Sequence, residues 1–427
     1  MADTRRTRTR RVLLLPVVVL GLLLAGCAED APLDTLDPQG PAANDIHNLV
    51  LPVFAVAGVI LVLVVGAVVW LGIRNRVRDD DPDDEFPEQI HGNNALELGW
   101  TIAPAAIMAA VAVGTVATHI AINDTEANAM VVEVDGTPTD WEPKVVVVGQ
   151  QWWWEFRYYF DQEITSDDLR DQRNLPPADI VTSGQMVVPV GEEVELYITS
   201  RDVIHSFWIP GLNGKRDAVP NRVHPWKLEA DDAGVYFGQC TEFCGLSHAR
   251  MRMQVIAMEG GDFQTWIDEQ MTAPAVPGDA EEFVAAYRDG ESVPLSEDAS
   301  AEARGLEAFT VQCASCHLVD GVNDLTYAGA NQVSGAAPDL THFASRTTFA
   351  GGILDTYLAD GSLNRDDLEA WLRNPDEVKS NASTEAIPRG MPNLQLSERT
   401  IDDLVAYLAT LGERPSDEMI QATQTDD

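Results

Sequence analysis

Basic residues are scarce in this 427-residue chain, with 28 Lys and Arg against 68 Asp and Glu, for a formal charge of −40. That balance excludes nucleic acid, whose phosphates are bound through clustered cations. It suits a basic partner or a high-salt habitat, through electrostatic steering. Cysteine is scarcer still: there are five, an odd number that leaves no complete disulfide framework. Spacing therefore says more than number. The cysteines fall as Cys27, the pair Cys240 and Cys244, and the pair Cys313 and Cys316. Internal repeats are also lacking, while the length allows two compact domains plus membrane segments.

Residues 1–26 combine an arginine-rich start with an apolar run from Val12 to Leu24, the layout of an export signal. The run ends Leu24-Ala25-Gly26-Cys27, which resembles the bacterial lipoprotein cleavage box. By that resemblance the thiol of Cys27 takes a lipid and becomes the new N-terminus. Residues 27–127 then hold two apolar runs, about 49–73 and 98–122. Each is long enough to cross a hydrocarbon core of roughly 30 Å. Arg74, Arg76 and Arg78 follow the first run, and the positive-inside rule puts that loop in the cytoplasm. Everything after about residue 125 is thereby predicted to be extracytoplasmic, on a bacterial cell membrane.

From 128 to 270 the pattern changes to short strand-like runs, Met130–Val134, Val145–Val148, Met186–Val190 and Val194–Ile198. Turn signals at Asp135-Gly136 and Asn213-Gly214 separate such runs. The expectation is a small antiparallel sandwich or barrel. Residues 271–298 are rich in Ala, Pro, Gly, Asp and Glu without a sustained apolar face, and read as a linker. Helical spacing returns at Ala299–Thr310, Arg365–Arg373 and Ile401–Leu411, giving a helical domain over 299–415. Residues 416–427 read as a frayed acidic tail.

The strongest chemical signal is Cys240-Thr-Glu242-Phe-Cys244-Gly-Leu-Ser-His248-Ala-Arg-Met251, with His205 upstream. Two thiolates, two imidazoles and a thioether make a soft ligand set that suits copper over magnesium or calcium. Zinc also accepts two cysteines and two histidines, but structural zinc pairs are usually spaced more closely. A mononuclear blue-copper site needs one cysteine; the second, four residues on, offers two bridging thiolates.

Residues 27–268 resemble subunit II of cytochrome c oxidase, a two-helix hairpin followed by an all-β cupredoxin domain with a dinuclear copper (CuA) centre. The likeness is closest from Cys240 to Met251. It implies that Cys240 and Cys244 bridge two copper ions, that His205 and His248 each cap one, that Met251 is a weak ligand, and that Glu242 ligates through its carbonyl. It further implies that the Glu242 side chain reaches a magnesium ion shared with the catalytic subunit. In Gln150-Gln151-Trp152-Trp153-Trp154, strand alternation sends Trp152 and Trp154 to one face, and Trp152 matches the family's electron-accepting tryptophan. Glu97, at the cytoplasmic start of the second membrane run, matches its acidic residue at a proton-uptake path, and an ionisable group at a membrane boundary is a functional candidate.

Cys313-Ala-Ser-Cys316-His317 has the form of a c-type haem attachment site, two thiols for the porphyrin and a histidine for the iron. Met391, in Arg-Gly-Met391-Pro, is the expected sixth ligand, with His342 as the alternative. Thioether ligation raises a haem's potential. His47, His91, His119 and His224 lack partner motifs and read as structural or surface residues. Residues 299–415 thus resemble an all-α cytochrome c domain, and the whole chain resembles the fused subunit II of caa-type oxidases. The polar stretch 320–335 departs from that pattern. The resemblance implies a relay from cytochrome c, or the cytochrome of a bc-type complex, through haem c and CuA to subunit I, with subunit III as a further partner. Oxygen reduction and proton pumping would lie in another chain. Alternative readings are the copper subunit of a nitric oxide reductase, a copper-delivery protein, and a shuttle without an oxidase.

Overall fold

The computed structural model describes residues 31–76, 91–125, 127–172, 175–325, 337–381 and 390–424. Cys27 and its cleavage box, Arg78, and most of the polar stretch 320–335 lie outside them.

Helix α1 spans Pro41–Arg74 and α2 spans Asn94–Asn123, so both run longer than the apolar stretches alone. Proline at the first helical position starts α1, where its missing N–H costs nothing. The side chain of Asn93 caps α2 by accepting the N–H groups of Ala95 and Leu96. Leu, Ile and Val side chains along α1 stand exposed, as a lipid-facing helix requires. Arg74 lies 5.2 Å over the Trp70 ring at the helix end, an interfacial arrangement. Helix α1 begins eight residues before the expected 49 because it leaves the β-domain already helical: Ala42 and Ala43 are buried, and Gln39 pairs by backbone with Gly211 and Asp231.

Twelve strands follow: β1 Met130–Val134, β2 Thr137–Trp141, β3 Lys144–Gln150, β4 Trp153–Tyr158, β5 Ile180–Ser183, β6 Gln185–Pro189, β7 Val194–Ser200, β8 His205–Phe207, β9 Arg216–Ala218, β10 His224–Leu228, β11 Gly234–Gln239 and β12 Arg252–Met258. One sheet has the order β10-β7-β3-β4-β5 and another β11-β12-β6. The purely antiparallel expectation is corrected, because β3 pairs with β7, and β12 with β6, in parallel. Parallel pairs need long crossover connections, which periodicity within a strand does not register. Asp135 and Gly136, both at positive φ, form the β1–β2 turn as their sequence suggests, whereas Asn213-Gly214 lies in the loop between β8 and β9.

The core between the sheets holds Val145, Val147, Trp154, Phe156, Leu196, Ile198, Trp226 and Val255. Val146 and Val148 point the other way, into a second cluster with Tyr159, Ile164 and Leu169 from the 159–178 excursion. Burial of both faces explains the unbroken Val145–Val148 run. Helix α3, Gly260–Gln270, adds Phe263 and Trp266 to the core, with Phe263 stacked between Trp141 at 5.8 Å and Trp266 at 5.6 Å.

The C-terminal module contains α4 Glu281–Arg288, α5 Ala301–Gln312, α6 Arg365–Arg373, α7 Pro375–Val378, α8 Glu398–Leu408 and α9 Asp417–Thr423. Among the described residues its β structure is a two-residue pair, β13 Thr348–Phe349 with β14 Leu354–Asp355, and an isolated bridge between Tyr357 and Leu363. The linker reading of 271–298 is overturned: α4 buries Val284 and Ala286, and Val276, Ala280 and Val284 join the module's core. The apolar face was too short, within a single eight-residue helix, to stand out from the polar composition. The frayed-tail reading is also corrected over 416–424. Ser416 caps α9, Ile420 and Thr423 are buried, and Gln254 of β12 donates to the Thr423 carbonyl at 3.1 Å.

Helices α5 and α8 cross at Gly305, where an added Cβ would overlap the Asp403 carbonyl and lie 2.7 Å from Tyr407 Cβ. Phe309 meets the Tyr407 ring beside this crossing, at 5.8 Å. Gly305→Ala is expected to destabilise the module by about 1–3 kcal/mol despite alanine's better helix propensity. Thermal unfolding followed at the module's transition checks this, and an unchanged midpoint refutes it.

Candidate metal centre

The site forms where β8, the end of β11 and the following loop meet. His205 opens β8 and is fully buried. The loop from Cys240 to Met251 turns through Gly245, at φ +116, beside the Trp152 indole. A one-turn 3₁₀ segment, His248–Arg250, then returns the chain to β12. Loop closure is fixed by the Cys240 N–H bonding to the Met251 carbonyl at 2.9 Å.

This folding brings all six expected ligands together. The sulfurs of Cys240 and Cys244 are 3.8 Å apart. His205 Nδ1 lies 3.9 Å from Cys240 Sγ, and His248 Nδ1 lies 3.6 Å from Cys244 Sγ. Met251 Sδ is 3.9 Å from Cys244 Sγ, and the Glu242 carbonyl is 3.3 Å from Cys240 Sγ. A hydrogen bond from Cys244, reinforced by His205, holds Cys240 well below the ordinary thiol range, toward the thiolate a metal needs. Two thiols, two imidazoles, a thioether and a carbonyl are a soft donor set that would suit copper.

Asp202 is a site residue that the motif did not reveal. Its carboxylate lies 2.9 Å from His205 Nε2 and accepts the N–H groups of Gln151 and Val203. Burial opposes its charge, yet the His205 contact keeps its pKa below the ordinary value. Anchoring Nε2 aims Nδ1 at the sulfurs, the carboxylate support common behind histidine ligands. Next to it, Arg201 joins Glu155 in a buried ion pair, with Nη2 at 2.7 Å, and Arg157 completes the triad. Despite its burial, Glu155 is held down to about 2 by the two guanidiniums.

Trp152 is 4% exposed, and its indole N–H donates to the Cys244 carbonyl at 3.1 Å. Trp154 packs edge-on to His205 and Phe207. Both therefore serve the copper side of the sheet. Glu97 lies in the exposed first turn of α2, remote from these groups in the fold. His224 Nδ1 contacts the Asp217 carbonyl and His119 contacts Asn123 on its own helix, so neither joins the site.

A second constellation borders the first. Cys313, Cys316, His317 and Met391 line a cavity of about 330 Å³ whose apolar wall includes Phe309, Leu340, Leu368 and Leu404. Trp152 and Trp153 form its other side. His317 Nδ1 bonds to the Pro338 carbonyl at 2.7 Å, leaving Nε2 for the cavity, and burial keeps the ring neutral. His342 is turned away, with Nε2 2.9 Å from the Gln270 carbonyl. A largely apolar slot lined by two cysteine side chains, an imidazole and a thioether fits a covalently attached haem.

Two family descriptions match the chain: the transmembrane domain of cytochrome c oxidase subunit II over residues 31–117, and its periplasmic domain over 144–258. Cytochrome c oxidase subunit 2 of Alkalihalophilus pseudofirmus is 32% identical over 401 residues, 93% of this chain and 96% of that protein. The chain belongs to the cytochrome c oxidase subunit II family. The counterpart in Bacillus sp. strain PS3 is 30% identical over 92% of this chain and 95% of that protein. Among solved structures, the periplasmic domain of subunit II from Bradyrhizobium japonicum shares 27% identity over 31% of this chain and 94% of its own, with a TM-score of 0.24. As a subunit II, this chain is the copper-containing subunit of a haem–copper oxidase, anchored by two apolar helices and carrying a cupredoxin-like periplasmic β-domain.

Asp202→Ala is expected to lower copper affinity about 10–100-fold while leaving all ligands in place. Competition with a calibrated copper chelator measures the change, and an unaltered affinity refutes the orienting role.

Proposed function

We propose that this subunit receives electrons through a haem c in its C-terminal module and passes them by way of Trp152 to a dinuclear copper centre, which supplies a separate catalytic subunit. The observation that carries the reading is the shared wall: Trp152 lines the cavity of Cys313, Cys316, His317 and Met391 and also hydrogen-bonds the Cys244 carbonyl. Haem and copper here supply one-electron carriage and nothing else. Cys313 and Cys316 fasten the haem, while His317 and Met391 ligate its iron. Cys240, Cys244, His205, His248, Met251 and the Glu242 carbonyl hold the coppers, and the packed core limits their rearrangement on electron transfer.

Phe243 and Leu246, 77% and 67% exposed on the copper loop, give that face an apolar patch suited to the catalytic subunit. In this reading the exposed Glu242 side chain beside them takes part in holding a magnesium ion shared with the catalytic subunit. Oxygen reduction to water and proton pumping belong to subunit I in this reading, with subunit III as a further partner and Glu97 near a proton-uptake path. The donor is a cytochrome c or a bc-complex cytochrome, drawn by the acidic surface. The protein resides in a bacterial cell membrane, with Cys27 as a lipid anchor.

Electron paramagnetic resonance of the copper-loaded chain is expected to show one unpaired electron shared by two copper nuclei; a single-copper hyperfine pattern refutes the dinuclear site. Met391→His is expected to lower the haem midpoint potential with the haem still attached. Potentiometric titration decides this, and an unmoved potential points to a different ligand.

A further inference from the structure

Four consecutive residues tie the loop of Met391 to the loop of the copper ligands. The Val378 carbonyl accepts from the Arg250 guanidinium, and the Ser380 carbonyl from the Ser247 hydroxyl, on either side of His248. Between them, Lys379 Nζ donates to the carbonyls of Trp152 and Ala350, both at 2.7 Å. The amide of Asn381 donates to the Met391 carbonyl at 2.9 Å.

Lys379 is the unusual member. It is only 6% exposed, its partners are two carbonyls from different domains, and no carboxylate pairs with it among the described residues. Burying an ammonium without a counter-ion is costly. Here burial, helped by the nearby Arg250 and Arg252 cations, pushes its pKa down to about 7. The space is also cleared for it. Gly351, at φ +76, has no side chain, and a Cβ there would overlap Nζ and lie 2.6 Å from the Trp152 carbonyl. A methionine would fill the same volume without the desolvation cost, so packing alone does not account for a lysine.

We propose that Lys379 is the clasp that seats the C-terminal module on Trp152, fixing the gap between the haem and copper sites and placing a positive charge between them. The redox half of this proposal rests on the haem reading above. One electron leaves the haem site and one arrives at the copper site; no bond is made or broken and no proton is required. Tunnelling rates fall exponentially with distance, so even a slight lifting of the module slows transfer. Lys379 is thus a positioning residue, acting through the Trp152 carbonyl.

The test uses the full chain at pH 6, where the ammonium is retained, and compares it with Lys379→Met. Amide exchange over residues 152–154 and 350–352 is expected to speed up at least ten-fold. Intramolecular haem-to-copper transfer, followed after pulsed reduction, is expected to slow at least ten-fold at unchanged haem and copper content. The haem midpoint potential is expected to fall with loss of the cation, a change that a purely packing role would not produce. Exchange and transfer within two-fold of the unaltered chain, or an unmoved potential, overturns the proposal. Should Lys379→Met fail to fold, Arg250→Ala removes the neighbouring bond from an exposed position. Faster exchange at 350–352 then supports the clasp, and unchanged exchange overturns it. Absence of covalent haem in the unaltered chain would defeat the haem reading alone, because amide exchange still judges the seating.

Discussion

The hydrogen bond from the Trp152 indole to the Cys244 carbonyl is the point on which the rest of the molecule converges. It joins the start of β4 to the Cys240–Met251 loop, and it does so under the cover of the C-terminal module. That bond lies between an aromatic core on one side and a largely apolar cavity on the other. A carrier of single electrons gains from rigidity there, since the same groups must accommodate both oxidation states with little movement.

Polar groups buried near the site are arranged as support. Glu155, Arg157 and Arg201 form a closed ion triad, and Arg201 leads directly into Asp202, which holds His205. Removing one member of such a cluster leaves an unpaired charge, which typically costs about 3–5 kcal/mol. The triad is therefore a brace for His205 more than a source of net stability. Across the module interface, Gln185 reaches both Gln254 and Thr347, and the Arg252 N–H donates to the Gly351 carbonyl. These bonds continue the β-domain's edge into the module, so the two parts share one polar seam.

Local chemistry was legible in the sequence, and long-range geometry was not. The expected ligands between Cys240 and Met251 share one loop, and the soft-donor logic that groups them with His205 needs no knowledge of the fold. The helices at Arg365–Arg373 and beside Gly305 announced themselves by spacing. Parallel pairing of β3 with β7 was invisible, because strand alternation carries no information about the neighbour. The α4 helix was hidden by a composition dominated by Ala, Asp and Glu, although Val284 and Ala286 were enough to bury it. Asp202 and Lys379 were missed for a shared reason: their partners are a ring nitrogen and backbone carbonyls, which leave no pattern in residue types.

Helix α1 has a mechanical consequence. It passes without a break from the β-domain surface to Arg74, and Gly40 at its start is pressed against the Glu229 carbonyl. At 1.5 Å per residue it forms a strut of about 50 Å, longer than the hydrocarbon core alone requires. The copper face therefore has a set height above the bilayer and a set heading around the helix axis. One residue inserted below the buried first turn would swing that heading by about 100°. Length and phase in this helix act as an address, telling the copper loop which way to face.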